Sequence, residues 1–300
     1  MVGSKNYQKV KYNFNLTIIH LLMKVQFCQI WFLPFSFLGL LLFLNNPLHA
    51  QRLFLLAGQS NAGGLGDSAL SNQHLTNRAF EYDVLVDQIK PLRDPAGQNW
   101  KSLESVRGRG TILPSFTKTF SLLQQEDVIV VHAARSGSSC SVKAELDNYG
   151  TWDSSGKLIW SAIEKTSKAV LASKVNLSGI IWMQGERDAN GIHAGKLTAL
   201  EYKAALIWVI NAFREKFGKT TPFFIVQTGY QSGREQNGND AVRLMQETVS
   251  KELDNVFIVY TETNLFFERG WMRDFVHYSQ QGLNDIGFKS AIAIDKIVHH

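Results

Sequence analysis

The chain has 300 residues, 45% of them hydrophobic, and a formal net charge of +5. Lys5, Lys9, Lys11 and Lys24 fall within residues 1–50, which hold no Asp or Glu, so +4 of the +5 belongs to that segment and +1 to the remainder. A nearly neutral body removes the compositional case for nucleic acid or an anionic membrane surface as partner. The two cysteines, Cys28 and Cys140, offer neither a disulfide framework nor a metal-type spacing.

The first segment reads as processing sequence. Met23-Lys24 precedes an apolar run from Ile30 to Leu44, then Asn45-Asn46-Pro47, then Leu48-His49-Ala50 before Gln51. Charged start, apolar centre, breaker and small final residue predict a signal peptide over 23–50. The run contains Pro34 and Gly39 and falls short of the roughly 20 residues a membrane-spanning helix needs, although an uncleaved anchor is the alternative. Residues 1–22 fit no part of a signal peptide and are expected to be an upstream extension from a misassigned start, with Met23 the true start. The expectation is a secreted or periplasmic protein without stable membrane association after cleavage. Its working part would be a single domain over 51–300.

From Gln51 onward, short apolar runs alternate with helical stretches. Arg52–Leu56 reads as a buried strand closed by Gly58, and Gly58, Gly63 and Gly64 bracket a Ser60-Asn61 pair. Segment 66–114 is irregular, with Pro91, Pro95, Gly97, Gly108, Gly110 and Pro114, as expected of a functional or lid-like loop. Arg107 and Arg109 in it are candidates for substrate contact, or simply solvated cations. A helix around 115–125 leads to a strand at 128–133, and an amphipathic helix at 159–172 to a strand at 177–183. A long helix at 197–217 leads to a strand at 223–228, and a helix at 240–253 to a strand at 256–260. A final helix at 280–298 is capped by Ser279. Parallel strands need crossover helices, so this alternation predicts a three-layer α/β/α sandwich with a mainly parallel, flavodoxin-like sheet.

Polar and glycine-rich clusters follow the first three strands: Gly58-Gln59-Ser60-Asn61, Ala134-Arg135-Ser136-Gly137-Ser138-Ser139 and Gln184-Gly185-Glu186-Arg187-Asp188. Open α/β sheets place ligands at that carboxyl edge. Ser60 is the candidate nucleophile, although Ser60 or Asn61 would equally suit a helix cap. A serine needs a base. His132 sits in an apolar strand, His74 and His193 in polar loops, and His299 and His300 at the end of the chain. His277 follows Asp274 by three residues, a spacing that lets the carboxylate orient the imidazole, or that joins two unrelated loop residues.

Together, Gly58-Gln59-Ser60-Asn61, Trp182-Met183-Gln184-Gly185-Glu186 and Asp274-x-x-His277 resemble the SGNH/GDSL hydrolase superfamily. More narrowly, they are similar to its sialate O-acetylesterase and acetylxylan esterase branch (carbohydrate esterase family six), as are Lys90-Pro-Leu-Arg-Asp-Pro95 and Gly97. The resemblance spans essentially all of 51–300. It implies Ser60 as nucleophile, His277 as general base and Asp274 as its orienting acid, with Glu186 an auxiliary or alternative carboxylate. It also implies an oxyanion hole from the backbone N–H groups of Ser60 and Gly137 and the side-chain amide of Gln184. Two departures stand out: Ser136 occupies a position where the family commonly has Gly, and Ala62 one where it usually has Met.

The resulting expectation is a serine esterase, needing no cofactor or metal, that removes O-acetyl groups from carbohydrates such as xylan or O-acetylated sialic acid. Lipase-like or thioesterase chemistry on the same scaffold is the first alternative. A non-catalytic carbohydrate-binding protein is the second. Trp100, Trp152, Tyr230 and Trp271 are candidate faces for a sugar, or ordinary packing residues.

Overall fold

Strand β1 (Gln51–Gly58) shows why the chain folds in layers. Side chains alternate across a strand, so Leu53, Leu55 and Ala57 enter one buried cluster while Phe54 and Leu56 enter another on the opposite face. A strand apolar on both faces must be covered on both. The computed structural model describes residues 50–72, 76–105 and 109–299. Residues 23–49 of the leader expected over 23–50, the extension before it, His74, Arg107 and His300 therefore lie outside the described residues. The other strands are β2 (Gly66–Asp67), β3 (Ala79–Asp83), β4 (Gln88–Pro91), β5 (Arg109–Gly110), β6 (Asp127–Ala134), β7 (Leu177–Met183), β8 (Phe223–Val226) and β9 (Val256–Tyr260). The helices are α1 (Ser60–Gly63), α2 (Leu113–Gln124), α3 (Leu158–Ser173), α4 (Glu186–His193), α5 (Ala199–Phe217), α6 (Asn237–Glu252) and α7 (Gln280–Val298).

Seven strands form one sheet in the order β4-β3-β6-β1-β7-β8-β9, parallel except for the β3–β4 pair. Core residues of α3, α5 and α6 cover the face of Leu53 and Leu55, and those of α2 and α7 cover the face of Phe54 and Leu56. Phe54 meets Phe116 and Phe120 edge-on at centroid distances of 5.3 and 5.1 Å. Each such pair contributes about 0.5–1.5 kcal/mol beyond burial. Thr198 and Glu201 close a capping box on α5, and the Ser279 hydroxyl caps α7 as its sequence predicts. The described residues, which fall within His49–His300, pack as one compact unit.

Segment 66–114 is more ordered than its prolines and glycines suggest. Its β3–β4 hairpin extends the sheet edge through parallel pairing of Ala79 with Val128, and β2 and β5 form a separate two-stranded ribbon. Glu186–His193 is likewise a helix rather than a polar loop. β6 and β7 lie on opposite sides of β1, so the strand order reverses there, and the carboxyl end of β1 opens at the point where such sheets bind ligands.

Candidate active site

At the end of β1 the backbone must turn while pressed against β7. Gly58 does so at φ 146°, where a Cβ would lie 2.0 Å from the Met183 carbonyl oxygen, and the Gln59 N–H donates to that oxygen at 3.0 Å. Ser60 then opens the single turn α1, where its backbone N–H has no intrahelical acceptor. Beneath this turn His132 is buried, its Nε2 lying 3.0 Å from the Ala62 carbonyl oxygen. Burial, reinforced by the nearby Lys165 ammonium, lowers the His132 pKa to about 4, so the ring is neutral and Nε2–H donates to Ala62.

The candidate base arrives from the other end of the chain. His277 Nε2 lies 3.1 Å from Ser60 Oγ, across 217 residues of sequence. His277 Nδ1 lies 2.8 and 3.0 Å from the two Asp274 oxygens, which fixes the proton on Nδ1 and leaves Nε2 to accept from the serine hydroxyl. Partial burial raises the Asp274 pKa, but donation from the Val276 N–H and from the His277 ring and N–H outweighs it, leaving the carboxyl below its ordinary range. Glu186, the other carboxylate weighed from sequence, does not reach the imidazole. Its Oε1 accepts from Asn61 Nδ2 at 2.6 Å. Its Oε2 is buried without a hydrogen-bond partner among the described residues, the Tyr278 hydroxyl favouring the carboxylate from outside hydrogen-bond geometry. Burial raises the Glu186 pKa.

Asn61, read from sequence only as a possible cap, joins the two halves. It donates to Glu186 and to the Val276 carbonyl oxygen at 3.2 Å, and its Oδ1 accepts from the Tyr278 N–H at 3.1 Å. The residues on either side of His277 are thereby tied to the residue after Ser60. Only its position beside the serine marked it in the sequence.

The two glutamines differ in a way the sequence does not show. Gln184 Nε2 is directed at Asp188 Oδ2 at 2.5 Å, with Gln59 Oε1 and the Ser138 carbonyl oxygen at 3.3 and 3.4 Å, and the residue is only 1% exposed. Gln184 is not among the residues lining the cavity of about 300 Å³ that contains Ser60, Gly137 and His277. Its amide is thus withdrawn from the place where the resemblance puts it, because the buried Asp188 carboxylate claims it. Gln59 does line that cavity. Its Oε1 accepts from Gln184 Nε2 and from the N–H groups of Gly185 and Arg187 at 3.3, 3.3 and 3.2 Å, an arrangement that fixes which amide atom is oxygen and turns Nε2 away from the protein frame. Asp188 also accepts from the N–H groups of Cys140 and Ser141, holding the loop that follows Gly137, and burial raises its pKa to about 6. The buried Cys140 thiol is pushed well above its ordinary range by the same loss of solvent.

Residues 50–296 match the family described as "Carbohydrate esterase, sialic acid-specific acetylesterase". The chain belongs to this family. It is a carboxylic-ester hydrolase that deacetylates carbohydrates. No curated protein sequence matches the chain. Among solved structures it is similar to a protein from Arabidopsis thaliana, at 18% identity and a TM-score of 0.64 over 82% of this chain and 98% of that one. It is also similar to NanS, at 15% identity and a TM-score of 0.57 over 83% and 98% of the two chains. A carbohydrate acetylesterase from Xanthomonas citri matches at 20% identity and a TM-score of 0.51, over 83% of this chain and 56% of that one. At these identities the three share its fold.

Both departures from the family pattern are accommodated in this esterase. Gly137 takes φ 71° and Ser136 has no positive φ, so the turn requires glycine only at Gly137. Ser136 instead donates its N–H to Glu104 Oε1 at 2.6 Å. Ala62 is fully buried, and its small side chain fits close to Gly58. The aromatic candidates fare differently. Trp152 and Trp182 pack edge-on in the core, Trp271 packs on Phe266, Tyr230 donates to Asp240, and Trp100 lies against the core. None of the four candidates lines the cavity; Tyr149 and Phe275 do. Arg109 pairs with Asp67 in the two-stranded ribbon, also outside the cavity.

Proposed function

We propose that this esterase removes O-acetyl groups from carbohydrates through an acyl-Ser60 intermediate. The observation that carries the reading is the relay of Ser60 Oγ, His277 Nε2, His277 Nδ1 and Asp274 at 3.1 and 2.8 Å. His277 takes the hydroxyl proton as Ser60 Oγ attacks the acetyl carbonyl, and Asp274 stabilises the imidazolium. The imidazolium then protonates the departing sugar oxygen. Water, deprotonated by His277, next attacks the acyl-serine and releases acetate.

Negative charge on the carbonyl oxygen is met by the N–H groups of Ser60 and Gly137, with Gln59 Nε2 as third donor in place of Gln184. Each donor fixed at such an oxyanion is worth about 3 kcal/mol of barrier. The cavity is lined by polar groups of Gln59, Arg187, Asn190 and Gln231 beside apolar Leu65, Tyr149, Phe275 and Val276, and the family supports an acetyl group on a sugar alcohol over a long-chain ester. The test is acetate release from a panel of O-acetylated glycans, including xylan and O-acetylated sialic acid, with octanoyl esters for comparison. Release of acetate that stops in Ser60→Ala is expected; preference for the octanoyl ester would contradict the reading.

The charged, apolar and small-residue order of 23–50 supports export, so the enzyme is assigned to the secreted or periplasmic compartment. No described helix is long and apolar enough to cross a membrane. β1 starts at Gln51, directly after the proposed cleavage point. N-terminal sequencing should find Gln51 first; a mature chain starting before Met23 would contradict both the cleavage and the assigned start.

A further inference from the structure

A second and larger cleft, of about 460 Å³, adjoins the one that holds Ser60. Tyr149 lines both. Arg135 lines the second cleft and its neighbours Ser136 and Gly137 the first, so the two open on either side of one short segment and one aromatic ring. The ring lies over Gly137 so closely that a Cβ there would come within 2.7 Å of it. Tyr149 is nevertheless 40% exposed.

The ring is held in place from its backbone. The Tyr149 N–H donates to the Leu146 carbonyl at 3.0 Å, its carbonyl accepts from Arg135 Nε at 3.3 Å, and the next N–H, that of Gly150, donates to Glu145 at 3.1 Å. Asp147, Asn148 and Gly150 adopt positive φ of 52°, 59° and 91°, a tight turn that lifts Tyr149 between the clefts. Such local conformations concentrate where a ligand is clamped.

The lining of the second cleft suits one ligand chemistry. Ser102, Asn148, Ser155, Lys101, Lys157 and Arg135 supply hydroxyl, amide and cationic groups, and apolar surface, the Tyr149 ring and Leu158 included, lines the cleft in about equal measure. Lys101 is paired with Glu164 and Arg135 with Glu104, so part of the positive charge is already compensated. An acyl chain would have to lie against hydroxyls and cations along half of that lining. A sugar ring, with hydroxyls at its rim and C–H groups on its faces, matches donors around an exposed aromatic, and the volume is in the range of ligand sites, about 300–1,000 Å³.

We propose that this cleft is a glycan subsite: it binds the sugars next to the acetylated one, with Tyr149 as the platform between them, so that the enzyme prefers acetylated oligo- or polysaccharide over the acetylated monosaccharide. The proposal rests on the carbohydrate esterase reading of the Ser60 site.

The experiment compares kcat/KM for acetate release from a free O-acetylated sugar and from the same sugar in an oligosaccharide. Two series serve: acetylated xylose against xylotetraose, and free against glycosidically linked O-acetylated sialic acid. Wild type, Tyr149→Ala and Ser155→Trp are each normalised to their own rate on 4-nitrophenyl acetate, which also reports folding; Ser155 is exposed and accepts bulk without disturbing the core. In the series that is hydrolysed, wild type should favour the longer member by about tenfold or more, mainly through KM. Both substitutions should erase most of that preference. Equal kcat/KM for short and long members would overturn the subsite, as would a preference that survives both substitutions. Wild type that cleaves 4-nitrophenyl acetate but neither glycan series would overturn the carbohydrate reading together with the subsite. Hydrolysis of a free acetylated sugar without a length effect overturns the subsite alone.

Discussion

The turn that carries Ser60 and the loop that carries Asp274 and His277 meet at the Ser60–His277 hydrogen bond and at two more made by Asn61, yet they are built on opposite terms. Gln59, Ser60, Asn61, Gln184, Glu186 and Asp188 are all at most 4% exposed. Hydrogen bonds among Asn61 and Glu186, Gln184 and Asp188, and Gln59 and Gln184 hold them together, and a neutral His132 supports the turn from below. On the other side, the side chains of His277 and Asp274 keep 22% and 37% of their exposure. The buried half holds donors in a fixed frame, which is what stabilising a developing oxyanion requires. The open half leaves His277, the proposed base, where it can exchange protons with water. Asn61 is the fastener between them, so its effect should be on alignment rather than on chemistry.

The largest effect is expected from emptying the buried half of its proposed nucleophile. Ser60→Ala should reduce kcat to background with an unchanged melting temperature; retained turnover would relocate the nucleophile. On the open side, Asp274→Asn should lower kcat by about 10⁴, since the amide cannot hold the required tautomer. Glu186→Gln should leave kcat within about tenfold while lowering the melting temperature, because it keeps the bulk and alters only the anchor on Asn61. A reversal of those two results would make Glu186 the triad acid.

Gln59→Glu sharpens the assignment within the buried half. One carboxylate oxygen can still accept the three N–H bonds while the other faces the cavity as an acceptor, so kcat should fall by about 10²–10³ with KM little changed. Asn61→Ala should cost about 10²-fold in kcat through misplacement of His277. Smallest is a pH effect on stability. The Asp188 pKa is raised from 3.8 to about 6 in the folded protein, so its contribution is fully present below about pH 4 and is lost as pH rises through 6. The melting temperature of wild type relative to Asp188→Asn should therefore decline between pH 4 and 6 and level off above; a relative rise would mean the buried donors outweigh desolvation.

What could be read from the sequence divides along the same line. That Ser60, Asp274 and His277 come together was legible because each sits in a short contiguous pattern at a strand end or before a capped helix. The strands and the long helices from 113 to 298 were legible because their apolar periodicity is strong. The β3–β4 hairpin was not, because its order comes from pairing with β6 across a stretch punctuated by glycine and proline. Helix Glu186–His193 is eight residues long, too short for its period to show. The Gln184 and Gln59 amides look equivalent in sequence, and only Asp188 and the N–H groups of Gly185 and Arg187 decide which one faces the cavity. Tyr149 was invisible as a site residue because its position over Gly137 is a tertiary fact.

The most direct test of the account is to trap the intermediate. The enzyme is quenched during turnover of 4-nitrophenyl acetate, and its mass and peptide map are recorded for wild type and Ser60→Ala. One acetyl group on the peptide containing Ser60, absent from Ser60→Ala, is the predicted result. Full hydrolytic activity with the acetyl group on another residue would contradict it.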